Sequence, residues 1–267
     1  MNKNNIPSFI YGTAWKKDAT TDLVKLALKA GFVAIDTANQ LKHYSEELVG
    51  QAILGRARTE LWLQSKFTSI NGQDQRLPYD PKAALKDQVK QSFASSLSHL
   101  HSDYLDSYLL HGPYNFPSLG KEDFEVWGAI EEIYISGQAK SIGISNVNLE
   151  QLELLCKKAK VKPMMVQNRC YANRNWDRGV RLFCKQNDIH YQGFSLLTAN
   201  PQVVEHAKVA LIAKKYKILP EQIVFRFATQ VGIIPLTGTS NIEHMKLDLS
   251  INSFELSDLE MDLIGTL

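Results

Sequence analysis

Three cysteines in 267 residues, an odd number, leave no disulfide framework that could close on itself. Cys156, Cys170 and Cys184 are also too widely spaced for a redox or zinc motif, so they read as small buried hydrophobes in a reducing compartment. Long apolar runs are missing, since nothing approaches the roughly 20 residues that a spanning helix needs. The polar start Met1-Asn2-Lys3-Asn4-Asn5-Ile6-Pro7 leads into no apolar segment of signal-peptide length. A soluble cytoplasmic protein is the expectation. Charge of one sign is not in excess either: a formal net charge of +2 supplies no basic stripe for nucleic acid and no polybasic tail for a membrane. Finally, no Gly-x-Gly-x-x-Gly turn follows an early strand, as an open doubly wound sheet of the dinucleotide-binding kind would require.

What is there is a sustained alternation. Apolar, β-branched runs at 9–14, 32–37, 61–67, 105–111, 141–145, 164–168, 190–195 and 232–236 read as eight strands. Amphipathic segments of helical period lie between them. One runs over 20–30 and stops at Gly31; another opens at Asp80-Pro81 with Leu85, Val89, Phe93, Leu97 and Leu100 on one stripe. Further helices are predicted at 148–159, 177–187, 202–216 and 220–230. No linker divides the pattern, which is that of a single α/β domain over residues 1–267, a closed (β/α)8 TIM barrel with a short C-terminal helical extension.

In such a barrel the C-terminal strand ends meet on one face, so listing them is a site prediction. They fall near Thr13-Ala14-Trp15, Asp36, Ser65-Lys66, Leu110-His111, Ser145-Asn146, Gln167-Asn168, Phe194-Ser195 and Thr237-Gly238-Thr239-Ser240. Taken alone, Asp36 could merely cap a loop, Lys66 could snorkel to the rim and His111 could be structural. A lysine directly after Leu61-Trp62-Leu63, however, needs a partner or loses its charge, and Asp36 is one strand away. An Asp, a Tyr (Tyr44), a Lys and a His converging on one face point to chemistry rather than packing.

The segments Ile35-Asp36-Thr37-Ala38, Tyr44 before an acidic helix, Lys66, Leu110-His111-Gly112-Pro113, Gly143-Ile144-Ser145-Asn146, Val166-Gln167-Asn168 and Pro235-Leu236-Thr237-Gly238-Thr239-Ser240 resemble the aldo-keto reductase family. The likeness runs in order over nearly the whole chain. It implies a nicotinamide-dependent carbonyl reductase with a catalytic tetrad of Asp36, Tyr44, Lys66 and His111. Hydride arriving at a carbonyl carbon builds negative charge on oxygen, so a proton donor must stand within reach. Tyr44 is the implied acid, Lys66 would lower its pKa, Asp36 would hold Lys66, and His111 would orient the carbonyl. For the cofactor, NADPH with NADH as an alternative, the resemblance implies Thr13, Ala14, Asp36, Ser145, Asn146, Gln167, Phe194, Ser195, Leu196, Thr198, Thr237, Gly238, Thr239, Ser240, His244 and Asp248. Phe194 would stack on the nicotinamide, and Thr237 to Ser240 would open a helix suited to a phosphate. Trp15 and His111 would line the substrate pocket.

Three departures from the family pattern stand out. The usual spacing puts the Tyr closer to the Asp, where this chain has Leu41, so the loop reaching Tyr44 is lengthened. The last phosphate-binding segment has His244 where many NADP-preferring members carry Arg. Connections that wall the pocket are short, which predicts an open pocket for broad or bulky carbonyl compounds. The small-molecule carbonyl is the expected partner of a monomer or weak homo-oligomer. Two other readings compete, a cofactor-binding regulatory protein and a Schiff-base aldolase built on Lys66. His99 and His101 lie at a helix end facing different sides, so no metal is expected.

Overall fold

The computed structural model describes residues 6–267. Eight parallel strands close into a barrel in sequence order: β1 (Ile10–Gly12), β2 (Ala34–Asp36), β3 (Trp62–Phe67), β4 (Ser107–Leu110), β5 (Ile142–Ser145), β6 (Met165–Arg169), β7 (His190–Phe194) and β8 (Ile233–Thr237), with β8 pairing back to β1. The helices are α1 (Thr20–Ala30), α2 (Glu46–Ile53), α3 (Leu85–His99), α4 (Lys121–Ile135), α5 (Leu149–Lys158), α6 (Arg178–Gln186), α7 (Pro201–Val204), α8 (Ala207–Tyr216), α9 (Pro220–Gln230), α10 (Ile242–Leu249) and α11 (Asp258–Gly265). The last is the C-terminal extension. No helix among the described residues is long and apolar enough to cross a membrane.

Strand parity sorts the side chains. Leu63 and Phe67 face outward into the core between sheet and helices, while Ile10, Ala34, Trp62, Leu109, Met165 and Leu236 form a separate apolar plug inside the barrel. Above that plug the interior turns polar, beginning with Gln64 and Gln192. That change of polarity marks the open end.

Local signals explain where the helices stand. Gly31 takes φ 115° at the end of α1, a left-handed conformation that favours glycine. Asn148 caps α5, accepting from Gln151 N at 2.8 Å, while the Gln151 side chain accepts from Asn148 N at 3.0 Å. Two predicted helices differ. Asp80 Oδ1 accepts from Lys82 N at 2.9 Å, so Asp80-Pro81 forms a side-chain-closed turn and α3 begins only at Leu85. The helix predicted over 202–216 breaks in two because His206 turns extended and its Nδ1 caps α8, accepting from Lys208 N at 3.2 Å.

Candidate active site

β2 ends on Asp36, and in the register of β3 Asp36 lies opposite Gln64, two residues before Lys66 on the same inward face. Lys66 is fully buried, and its Nζ donates to both Asp36 oxygens and to the Thr37 carbonyl, each at 2.7 Å. Burial lowers the Lys66 pKa, and the facing Asp36 carboxylate opposes that shift. Asp36 Oδ1 also accepts from Gln64 Nε2 at 2.7 Å and Gln167 Nε2 at 3.0 Å. Gln192 ties those two amides together: its Oε1 accepts from Gln64 at 2.8 Å and from Gln167 at 2.9 Å. Sequence reading missed Gln64 and Gln192. Their signal was polar residues at interior-facing strand positions next to predicted site residues.

The lengthened loop delivers Tyr44. Leu41, Lys42 and His43 coil into one extra turn, closed by hydrogen bonds to Gln40 O from His43 N at 3.2 Å and Tyr44 N at 2.9 Å. Three contacts hold that turn: Gln40 Nε2 donates to Gly72 O at 2.6 Å, Arg76 donates to Leu41 O at 2.9 Å, and Trp15 N donates to His43 O at 2.7 Å. Leu41, at the familiar tyrosine spacing, points to solvent with 41% exposure. The Tyr44 ring instead lies with its centroid 5.2 Å from Lys66 Nζ and 5.8 Å from the His111 ring, nearly edge-on to the latter. Its pKa is raised, first by burial and then by the Asp36 charge. Lys66, paired to Asp36, is the ammonium that faces the Tyr44 ring.

His111 follows β4, its N–H donating to Phe67 O at 2.9 Å and its carbonyl accepting from Asn146 Nδ2 at 2.8 Å. Its Nδ1 is 2.6 Å from the Thr68 hydroxyl. Burial, with Lys66 and His43 as further positive neighbours, pushes its pKa well below the usual imidazole value, so the ring stays neutral at pH 7. Trp15 stands at the rim, 66% exposed, its ring centroid 3.8 Å from that of His43.

The residues assigned to a nicotinamide cofactor divide into groups. Ser145 Oγ donates to Gln167 O at 2.7 Å, and Asn146, in the left-handed region at φ 55°, donates to Ser145 Oγ at 3.1 Å. Among the described residues two acceptors here go unused, Asn146 Oδ1 and Gln167 Oε1. Two such acceptors are what the two N–H groups of a carboxamide would require. Phe194 is half-buried at the end of β7, and Ser195 beyond it has φ 57°. Thr13 is turned inward, donating through Oγ1 to Asp36 O at 3.0 Å, and Ala14 is partly exposed beside it. Leu196 packs into the outer core and Thr198 is exposed, which leaves the Leu196 backbone as its polar part.

The helix that the sequence predicts to open over Thr237 to Ser240 does not form there. Thr237 ends β8, residues 238–240 form a loop, and α10 starts later because Asn241 caps it, accepting from Glu243 N at 2.8 Å. Lys16, which the sequence did not single out, spans β1 and this loop by donating to the Gly238 carbonyl, while Tyr11 OH donates to Thr239 O at 3.0 Å. His244 is exposed in the first turn of α10. Asp248 is buried behind the loop, hydrogen-bonded with Thr237, and burial raises its pKa to about 7. His99 turns toward buried Glu46, its Nδ1 3.3 Å from Oε2, and no group of three or more candidate metal ligands gathers among the described residues.

A strand-end Asp–Lys pair under a Tyr and a His, beside the Asn146 and Gln167 amides, meets a family match. The model of the aldo/keto reductase family covers residues 9–202 of the chain. The chain belongs to that family. It is 32% identical to glyoxal reductase of Bacillus subtilis, over 92% of this chain and 83% of that one. It is 31% identical to the NAD/NADP-dependent indole-3-acetaldehyde reductase of Schizosaccharomyces pombe, over 98% and 91% respectively. Among solved structures, an aldo/keto reductase from Brucella melitensis superposes with a TM-score of 0.82 at 30% identity, covering 97% of this chain and 94% of its own. This aldo/keto reductase is thus an NAD(P)H-dependent oxidoreductase acting in carbonyl reduction, on a (β/α)8 barrel.

Proposed function

We propose that the chain reduces small aldehydes and ketones to alcohols at the open end of the barrel, with Tyr44 as the general acid. The observation that carries this reading is the placing of the Tyr44 ring between Lys66 Nζ at 5.2 Å and His111 at 5.8 Å, despite the lengthened loop. Asn146 Oδ1 and Gln167 Oε1 accept from the carboxamide, Phe194 covers the ring, the 237–240 loop takes a phosphate, and His244 and Lys246 face the adenosine end. When bound, NAD(P)H supplies the hydride. His111 holds the carbonyl oxygen, and Tyr44 gives that oxygen its proton as negative charge develops there. The phenolate left on Tyr44 is then met by the Lys66 ammonium, which Asp36 keeps in place. Two relatives named for aldehyde substrates, a glyoxal reductase and an indole-3-acetaldehyde reductase, support an aldehyde as the substrate class.

The test follows loss of reduced-nicotinamide absorbance with an activated aromatic aldehyde, for wild type and Tyr44→Phe, each with NADPH and NADH. Turnover by wild type that disappears in the variant is the expected result. Equal turnover by both would remove Tyr44 from the acid role.

A further inference from the structure

Thr68 stands two residues beyond Lys66 on the same inward-facing parity, and it is 4% exposed. Its surroundings leave it little freedom. The Thr68 carbonyl accepts from Tyr79 OH at 2.9 Å and from Gln73 Nε2 at 3.4 Å. Its methyl occupies the space over Gly72, where an added Cβ would lie only 2.7 Å from Thr68 Cγ2. That packing fixes the rotamer that aims Oγ1 at His111 Nδ1, 2.6 Å away.

A neutral imidazole carries one N–H, and the ring's partner decides on which nitrogen. If Nδ1 held the proton it would donate to Oγ1, and the Thr68 hydroxyl hydrogen would be buried with no acceptor, since Oγ1 has no other partner among the described residues. If the hydroxyl donates to Nδ1, both groups are satisfied. The proton then sits on Nε2, which makes no hydrogen bond to any described residue. The carbonyl-orienting nitrogen is thereby a donor, as an oxygen gathering negative charge requires.

We infer that Thr68 is a positioning residue which, by donating to His111 Nδ1, locks His111 in the Nε2-protonated tautomer that presents its N–H to the substrate carbonyl. The inference rests on the proposed orienting role of His111, but the tautomer itself can be read without any substrate. Long-range 1H–15N spectra of histidine-labelled protein, with the His111 signals assigned by loss in His111→Asn, distinguish a protonated Nε2 from a protonated Nδ1. In wild type at pH 7 we expect Nε2 protonated and Nδ1 bare. Thr68→Val is expected to mix the tautomers and to lower kcat/KM about tenfold or more. Cofactor affinity, followed by fluorescence, stays unchanged, and Thr68→Ser restores both properties. A wild-type spectrum with Nδ1 protonated overturns the inference, whether or not the valine variant folds. So does a Thr68→Val protein with the wild-type tautomer and wild-type kinetics. Absence of turnover in wild type would defeat the proposed reaction while leaving the spectra to decide the tautomer.

Discussion

Lys66 Nζ stands 2.7 Å from each oxygen of Asp36 and 2.7 Å from the Thr37 carbonyl, so every one of its three protons has an acceptor inside the barrel. Such a pair is costly to break from one side only, because the survivor is left as an uncompensated buried charge. Asp36→Asn is therefore expected to lose about 3–5 kcal/mol of stability. Adding Lys66→Met to that variant should recover part of the loss, a coupling that urea denaturation of the two single variants and the double variant measures directly.

Leu41 occupies the spacing at which the family usually carries its tyrosine, yet it faces solvent while Tyr44 reaches the site. In the proposed reaction, Tyr44→Phe should reduce kcat by about 10²–10⁴-fold, the contribution of a positioned proton donor. Restoring a phenol at the familiar spacing should not help. Leu41→Tyr in the Tyr44→Phe background is expected to remain as inactive as Tyr44→Phe alone, and recovered aldehyde turnover would show that the extra turn can be bypassed.

The barrel was legible because parity and period repeat eight times, and because each strand end exposes a polar residue after an apolar run. Asp36, Lys66 and His111 were legible for the same reason. Tyr44 was harder, since its placement depends on a local turn closed on Gln40 O and on long-range contacts from Arg76 and Trp15 that leave no local signature. The Asp36–Lys66 pairing, by contrast, follows from strand neighbourhood alone, and the two are in direct contact. The helix expected after Thr237 failed on a single residue, because Asn241 is the better cap.

Gln192 touches Asp36 only through others, but it accepts from both amides that do, Gln64 and Gln167, and donates back to Gln64 Oε1 at 3.0 Å. Gln192→Leu keeps most of the volume and removes these partners. Two buried N–H groups then lose an acceptor, which should cost about 2 kcal/mol or more in urea denaturation. With Gln167 free to turn, its Oε1 no longer holds one orientation, so nicotinamide cofactor affinity, measured by protein fluorescence, should fall as well. Unchanged affinity alongside lost stability would confine Gln192 to a purely structural part.

Asp248 makes the stability of the fold depend on pH. Buried behind Thr237, it has a folded pKa of about 7, against the usual value of 3.8. Between those values the folded state holds a proton that the unfolded chain has released, so this residue's effect on stability becomes more unfavourable as pH rises through that window. The full effect, on the order of 4 kcal/mol, is in place above pH 7. Asp248→Asn keeps a polar partner for Thr237 and cannot ionise. Its stability advantage over wild type should be absent near pH 4, grow up to about pH 7 and stay constant above that. Urea midpoints of both proteins across that range measure the difference, and parallel curves would mean that Asp248 finds water or a cation that relieves its burial.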